Sequence, residues 1–208
     1  MDEFSEMAGP DACRSPRLFE SPLLDRLSRV NHLVPLLLYL PVVVLLVYFG
    51  LYRSGWPATA AGLVAGYIVW TLLEYFGHRF VFHADFPGKL GARIHYLIHG
   101  VHHDHPGDPL RLVMPPLLSI PIMGIGFVVL RLACGPDMVL PVWAGFIAGY
   151  VGYDMVHYHV HHTLPRTRIG QTMKRRHMLH HFRDDAVSFG VSAPWWDLVF
   201  GTSGRRES

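Results

Sequence analysis

Charge is what this chain has least of. Asp, Glu, Lys and Arg make up 16% of its 208 residues, while half of them are hydrophobic. That balance belongs to membrane proteins rather than soluble ones. Cysteine is almost absent: Cys13 and Cys134 are the only two, which excludes a disulfide-stapled fold and a thiolate metal site. No H-E-x-x-H motif occurs, so a helical hydrolytic zinc site has no candidate. Residues 1–30 mix charges and prolines and lack the short apolar core and small-residue cleavage site of a signal peptide.

Long apolar runs, in contrast, are plentiful. Four stretches, at about 33–52, 57–76, 113–134 and 138–157, reach the roughly 20 residues that a helix needs to cross a bilayer. The buried helices of a soluble protein would account for two such stretches but not for four. Prolines in the first, third and fourth predict kinks. The chain reads as one domain, with a cytosolic segment at 1–32 and a membrane-embedded part at 33–208. Segment 17–30 sets Leu18, Leu23, Leu24 and Leu27 against Arg17, Arg26 and Arg29. That pattern suits either an interfacial helix or a plain cytosolic lead-in.

Basic residues give an orientation. Of the 18 Lys and Arg residues, 16 lie in the N-terminal segment, the loop between the second and third spans, or the C-terminal tail; Arg53 and Arg131 are the exceptions. The positive-inside rule then predicts a multi-pass protein with both termini and the central loop in the cytoplasm. Cys13 and Cys134 fall on opposite sides in this topology and cannot pair. The run Lys174-Arg175-Arg176 suits anionic headgroups, and nothing in the charge pattern calls for nucleic acid.

The most concentrated signal is histidine. Fourteen of the 15 lie between Glu74 and Arg183, in four clusters: His78 with His83; His95, His99, His102, His103 and His105; His157, His159, His161 and His162; and His177, His180 and His181. Neutral imidazole is the commonest protein ligand for transition metals. With the predicted topology, spans two and four return to the cytoplasm at His78 and His157, so all four clusters converge on one membrane face. Helical neighbours three or four apart share a face. This selects His99 with His102 and His103, His157 with His161, and His177 with His180 and His181. His78 and His83 are five apart, about 140° around an α-helix, and meet only if the helix ends or bends between them. His32 reads as an interfacial residue, and His95, His105, His159 and His162 as packing or loop residues. Ten candidate ligands remain: His78, His83, His99, His102, His103, His157, His161, His177, His180 and His181.

Ten imidazoles are too many for one ion and suit two ions of five or six coordination. Ligand type alone does not choose between zinc, copper, nickel and iron. A metal pair at the mouth of a helical bundle is placed to act on a lipid entering from the bilayer. Breaking an unactivated C–H bond needs a redox metal and dioxygen, which favours iron. Ten neutral ligands leave the metal charge uncompensated, so nearby acids are expected to orient the imidazoles through their other ring N–H. The candidates are Glu74, Asp104, Asp154, Asp184 and Asp185, with Asp154 preferred because an acid at the end of a span is otherwise costly.

These residues carry a resemblance. Glu74-Tyr-Phe-Gly-His78-Arg-Phe-Val-Phe-His83, His95-Tyr-Leu-Ile-His99-Gly-Val-His102-His103, Arg111-Leu-Val-Met-Pro-Pro116, Tyr153-Asp-Met-Val-His157-Tyr, His177-x-x-His180-His181-Phe, Phe189-Gly-Val-Ser and Trp196-Asp-Leu-Val-Phe-Gly-Thr202 resemble the fatty acid hydroxylase/sterol desaturase superfamily. The match covers about residues 60–203 and is most similar to fatty acid 2-hydroxylases acting on sphingolipid acyl chains. The resemblance implies an all-α integral membrane protein: four transmembrane helices capped by a cytosolic histidine-rich helical domain that holds a dimetal site.

It also implies two iron ions on the ten histidines (zinc can occupy such sites in purified protein), O2 as co-substrate, and hydroxylation at C2 of a fatty acyl chain, free or in a ceramide. The 32 residues before the first span are too few for the cytochrome b5 domain that many eukaryotic members carry. The electrons are therefore expected from a separate donor, cytochrome b5-like or a ferredoxin with its reductase. The lipid headgroup is expected against Arg111 or the Lys174–Arg176 run. The rival readings are a sterol or carotenoid hydroxylase or desaturase with the same metal core, and a membrane metal transporter. Transporter ligands usually sit near the membrane midplane, unlike these clusters at span ends.

Overall fold

A computed structural model describes residues 13–204, so residues 1–12 of the expected N-terminal segment lie outside the described residues. Among the described residues the regular structure is entirely helical. In chain order come α1 (Pro22–Leu27), α2 (Leu33–Gly77), a π-helical turn (His78–Phe82), α3 (Gly88–His95), a second π-helical turn (Tyr96–Gly100), α4 (Val101–Asp104), α5 (Pro116–His162), α6 (Arg168–Phe182) and α7 (Trp195–Val199).

Two of these, α2 and α5, are long and apolar enough to cross a membrane. At 45 and 47 residues, each would run about 70 Å if straight. Both are folded back instead. Gly55 takes φ 73° and ψ 171° inside α2, and Gly135 takes φ 79° and ψ 178° inside α5. Side chains with a Cβ rarely adopt such angles. A Cβ on Gly50 would stand 3.4 Å from the Thr59 side chain, and one on Gly126 would stand 3.2 Å from Trp143. On a straight helix those pairs would be roughly 14 and 25 Å apart along the axis. Each element is therefore a hairpin of two arms, and the bundle has four. The reversals are at glycine: Pro41, Pro121 and Pro141 lie inside the helices, and only Gly55 and Gly135 leave helical φ/ψ. The glycine turns fall in the two gaps expected between spans, with Pro57 and Pro136 just after them, where the fixed φ of proline suits a helix start.

The arms that carry His78 and His157 touch through backbone. Gly62 and Gly66 on one face Pro141, Val142 and Phe146; Gly145 and Gly149 on the other face Leu63 and Trp70. A Cβ on Gly66 would lie 1.8 Å from the Val142 carbonyl oxygen, and one on Gly145 2.0 Å from that of Leu63. This is small-residue packing, the means by which apolar helices associate when lipid removes the hydrophobic drive. Around it sits a core of Tyr39, Trp70, Met123, Trp143, Phe146, Ile147, Tyr150 and Val151. Outward, Leu37, Val44, Leu45, Ile125 and Leu132 are each more than half exposed, a surface a soluble monomer avoids.

The expected boundary at residue 33 is the first residue of α2, but the segment before it is tied to the bundle. The Arg111 side chain is 3% exposed and 3.0 Å from the Asp25 carboxylate. It also donates to the Pro16 carbonyl at 2.6 Å and to Ser28 Oγ at 2.8 Å. Asp25 accepts from the Leu18 N–H at 2.7 Å and from Arg29. The Leu18 N–H, followed by the two guanidinium groups, holds the Asp25 carboxyl down at about 2. Arg111 is thus engaged in the fold and is not free for a lipid headgroup. On α1 the polar Asp25 faces inward, while Leu23, Leu24 and Leu27 face outward.

Alanine at Gly66 or Gly145 must push the arms apart, and overpacking of this kind costs typically about 1–3 kcal/mol. Thermal unfolding in detergent should show a clear loss of stability for both variants. Gly152→Ala, whose Cβ would meet nothing within 4 Å, should melt like the parent.

Candidate metal centre

Four chain segments bring histidine to one end of the bundle. His78 follows directly on α2, and His157 and His161 lie one turn apart near the end of α5. His99, His102 and His103 span the second π-helical turn and α4, while His177, His180 and His181 occupy the last turns of α6. The fivefold spacing of His78 and His83 is resolved by a π-helical turn. The His83 N–H donates to the His78 carbonyl at 3.2 Å, an i→i+5 bond of the kind found in π-bulges at functional sites. The two rings stand 5.0 Å apart.

The ten histidines selected by spacing separate into two groups of five. His78, His83, His99, His103 and His180 form one; His102, His157, His161, His177 and His181 form the other. Within each group, one ring nitrogen per residue lies within 4.8 Å of all the others. Both H-x-x-H-H boxes are divided in the same way: their i,i+4 pairs (His99 with His103, His177 with His181) stay together, and the histidine between (His102, His180) joins the other group. Spacing alone had placed each box on a single face. The two groups abut, with the His103 and His181 rings 4.2 Å apart.

The donor atoms fit metal ions. Nε2–Nε2 distances are 3.1 Å for His78–His99 and 3.0 Å for His99–His103 in the first group. In the second they are 3.0 Å for His102–His157, 2.8 Å for His161–His177 and 3.1 Å for His177–His181. Nitrogens bound at about 2.1 Å to one ion stand about 3.0 Å apart at a right angle and about 3.4 Å apart at the tetrahedral angle. The spacing therefore suits five- or six-coordinate ions. The His78 Nδ1–H donates to the Phe189 carbonyl at 2.7 Å, and that of His180 to the Val187 carbonyl at 2.8 Å. Their Nε2 atoms consequently carry the lone pair. Nε2 of His83 and of His180 are buried without a hydrogen-bond partner, a costly arrangement that a cation would relieve.

Burial holds these imidazoles neutral, ready to ligate. His83 is pushed down to about 4, His102 to about 3 and His103 to about 2, chiefly by desolvation and then by neighbouring histidines. His99, His177 and His181 are lowered for the same reasons.

The expected acids, Asp185 apart, act differently. Glu74 is buried and accepts from the N–H and hydroxyl of Ser192, not from a ring N–H. Asp154 is buried beside Tyr150, and His157 Nδ1 has no hydrogen-bond partner. Asp185 stands 3.9 Å from His83 Nδ1, Asp184 accepts from the Ala186 N–H, and Asp104 is exposed. Backbone carbonyls of the 187–193 loop orient His78 and His180 instead. A carboxylate given no role by spacing arguments, Asp197, holds that loop. It accepts from the N–H groups of Phe189 and Gly190 at 2.9 and 3.0 Å and from the Thr202 hydroxyl at 2.8 Å. Its signal in the sequence was its place in the Trp196-Asp motif.

The remaining histidines stay outside both groups. His32 stacks on Tyr158 at 3.7 Å, His162 packs on the same ring at 4.3 Å, and His159 Nδ1 pairs with the Thr163 hydroxyl.

Unfolded histidines titrate near 6.5, whereas these titrate lower in the fold, so the unfolded chain binds more protons below that pH. Their contribution to stability is complete above 6.5 and is lost as pH falls toward the folded values. Metal-free protein should therefore melt at a constant temperature from pH 7 to 8 and at falling temperatures below 6.5. A melting temperature that stays flat from pH 7 to 5 would contradict the buried neutral assignment.

The sequence profile described as fatty acid hydroxylase matches residues 63–202. A dihydroceramide fatty acyl 2-hydroxylase of Arabidopsis thaliana is 36% identical over 192 residues, covering 90% of this chain and 79% of the relative. The Homo sapiens fatty acid 2-hydroxylase is 31% identical over 224 residues, covering 97% of this chain and 60% of the relative. A solved structure, full-length scs7p with only its hydroxylase domain visible, superposes with a TM-score of 0.82 at 34% identity, over 89% of this chain and 71% of that one.

Proposed function

The chain belongs to the fatty acid hydroxylase family, and we propose that it hydroxylates C2 of a fatty acyl chain, free or within a sphingolipid, in the membrane that its apolar arms span. The supporting observation is the pair of five-histidine groups at one end of an apolar bundle, in a chain whose relatives are named for acyl 2-hydroxylation. In the proposed topology the four arms cross the bilayer. The turns at Gly55 and Gly135, near Arg53 and Arg131, lie on the far side, and the histidines and both termini lie in the cytoplasm.

In this reading His78, His83, His99, His103 and His180 hold one iron ion, and His102, His157, His161, His177 and His181 hold a second. Bound iron would supply dioxygen activation, which no side chain provides. The overall change consumes O2, two electrons and two protons, places one oxygen atom in the C2–H bond and releases the other as water. A donor protein of the cytochrome b5 or ferredoxin type brings the electrons.

The chain's own work is positioning. Buried neutral imidazoles offer Nε2 lone pairs, and the Phe189 and Val187 carbonyls set the ring orientation of His78 and His180. Glu74 and Asp197 pin the loop that carries those carbonyls. The arms deliver an acyl chain from the bilayer side, and exposed Arg175 with the adjoining Lys174 would face an anionic or zwitterionic headgroup.

The direct test is mass spectrometry of lipids from cells expressing the protein, where the 2-hydroxy acyl fraction should rise. No rise, with iron and a working electron donor present, would end the assignment; a hydroxylated sterol or carotenoid would redirect it. His102→Ala and His180→Ala should each abolish the product and lower metal content. Preserved turnover in either variant would remove that residue from the ligand set.

A further inference from the structure

The two five-histidine groups differ in what lies behind them. In the His78 group, two rings donate their outer N–H to fixed carbonyls: His78 to Phe189 at 2.7 Å and His180 to Val187 at 2.8 Å. In the other group, Nδ1 of His157, His177 and His181 are buried with no hydrogen-bond partner among the described residues. The loop bearing the two carbonyls is anchored from three sides. Asp197, fully buried, takes the N–H groups of Phe189 and Gly190. Glu74 takes both donors of Ser192. The Ser188 N–H donates to the Thr202 carbonyl at 2.7 Å, with Ser188 held at φ 59°. A non-glycine residue in that region persists only where its surroundings over-determine it.

We infer that the two groups are inequivalent metal sites, and that Asp197, acting through the Phe189 carbonyl, makes the His78 group the tighter of the two. The inference rests on the two-ion reading above. A ligating imidazole whose outer N–H is hydrogen-bonded is fixed in the metal-binding tautomer and is more basic at Nε2. Loss of such a partner typically lowers metal affinity about 10- to 100-fold. Rings lacking an acceptor gain neither effect. Asp197 touches no ligand and no reacting atom, so it is a positioning residue. The His78 group fills first and empties last.

The test is equilibrium competition between the full chain, purified in detergent and loaded with Zn(II), and graded chelator, with bound zinc counted by mass spectrometry. The parent should start with two ions per chain and lose them at two chelator midpoints separated by about tenfold or more. Asp197→Asn should move the tighter midpoint toward the weaker one and leave the weaker in place. A fold that had merely loosened would shift both. His181→Ala should keep the tight ion, and His83→Ala should keep only the weak one. That pair decides the matter if the Asp197 variant does not fold. A single midpoint in the parent, equal shifts in Asp197→Asn, or loss of the tight ion in His181→Ala each overturns the inference. A parent that binds fewer than two ions overturns the two-ion reading itself, and is recognised before any chelator is added.

Discussion

Ten desolvated imidazoles, gathered in two groups whose ring nitrogens lie within 4.8 Å of one another, are the constraint on which the rest of this structure depends. Ring nitrogens are good hydrogen-bonding groups, and burying them without partners is costly. A metal-free cluster can satisfy only some of them with each other, and protonation is closed off because burial disfavours the charged form. Cations at the two foci would resolve the conflict at once. Much of the fold can be understood as the apparatus that brings the ten rings together and keeps their lone pairs pointed inward. The glycine faces that let two arms approach, the π-helical turns and the clamped 187–193 loop all serve that end.

The apparatus has two layers of different character. The bundle supplies coarse placement: Gly62, Gly66, Gly145 and Gly149 allow backbone contact between the arms, so the helix ends bearing His78 and His157 emerge side by side. The cap supplies fine placement through buried carboxylates that never meet a histidine. Glu74 and Asp197 act on backbone N–H groups of a loop, and the loop's carbonyls act on the rings. Charge is thereby kept off the imidazoles while their orientation is still set. The Asp25–Arg111 pair does a comparable job elsewhere, tying the segment before α2 to the loop after α4.

Legibility in the sequence follows the range of the interaction. The helical class, the apolar arms and the ten histidines were all readable, because hydropathy and i,i+4 spacing are local properties of a helix. The arm breaks were readable from the gaps at 52–57 and 134–138 in the apolar runs, but not which residue turns the chain there. Proline draws attention as a breaker, yet Pro41, Pro121 and Pro141 sit inside helix while Gly55 and Gly135 turn the chain. Arg111 read as a free cation because its partner, Asp25, is 86 positions away. Glu74 and Asp154 read as imidazole partners because they stand one turn from His78 and His157. Glu74 instead reaches a serine 118 positions away, a contact that no local pattern announces.

What the sequence determined by itself was therefore the inventory: which residues are ligand-capable, which segments are apolar, and which end of the bundle gathers imidazole. Tertiary structure decided the partition. The division of each H-x-x-H-H box between two groups, and the choice of loop carbonyls over carboxylates as ring acceptors, depend on how separate helices meet. Helical periodicity sets the angle of a side chain about its own axis. Only the packing of one axis against another decides which neighbour that side chain finds.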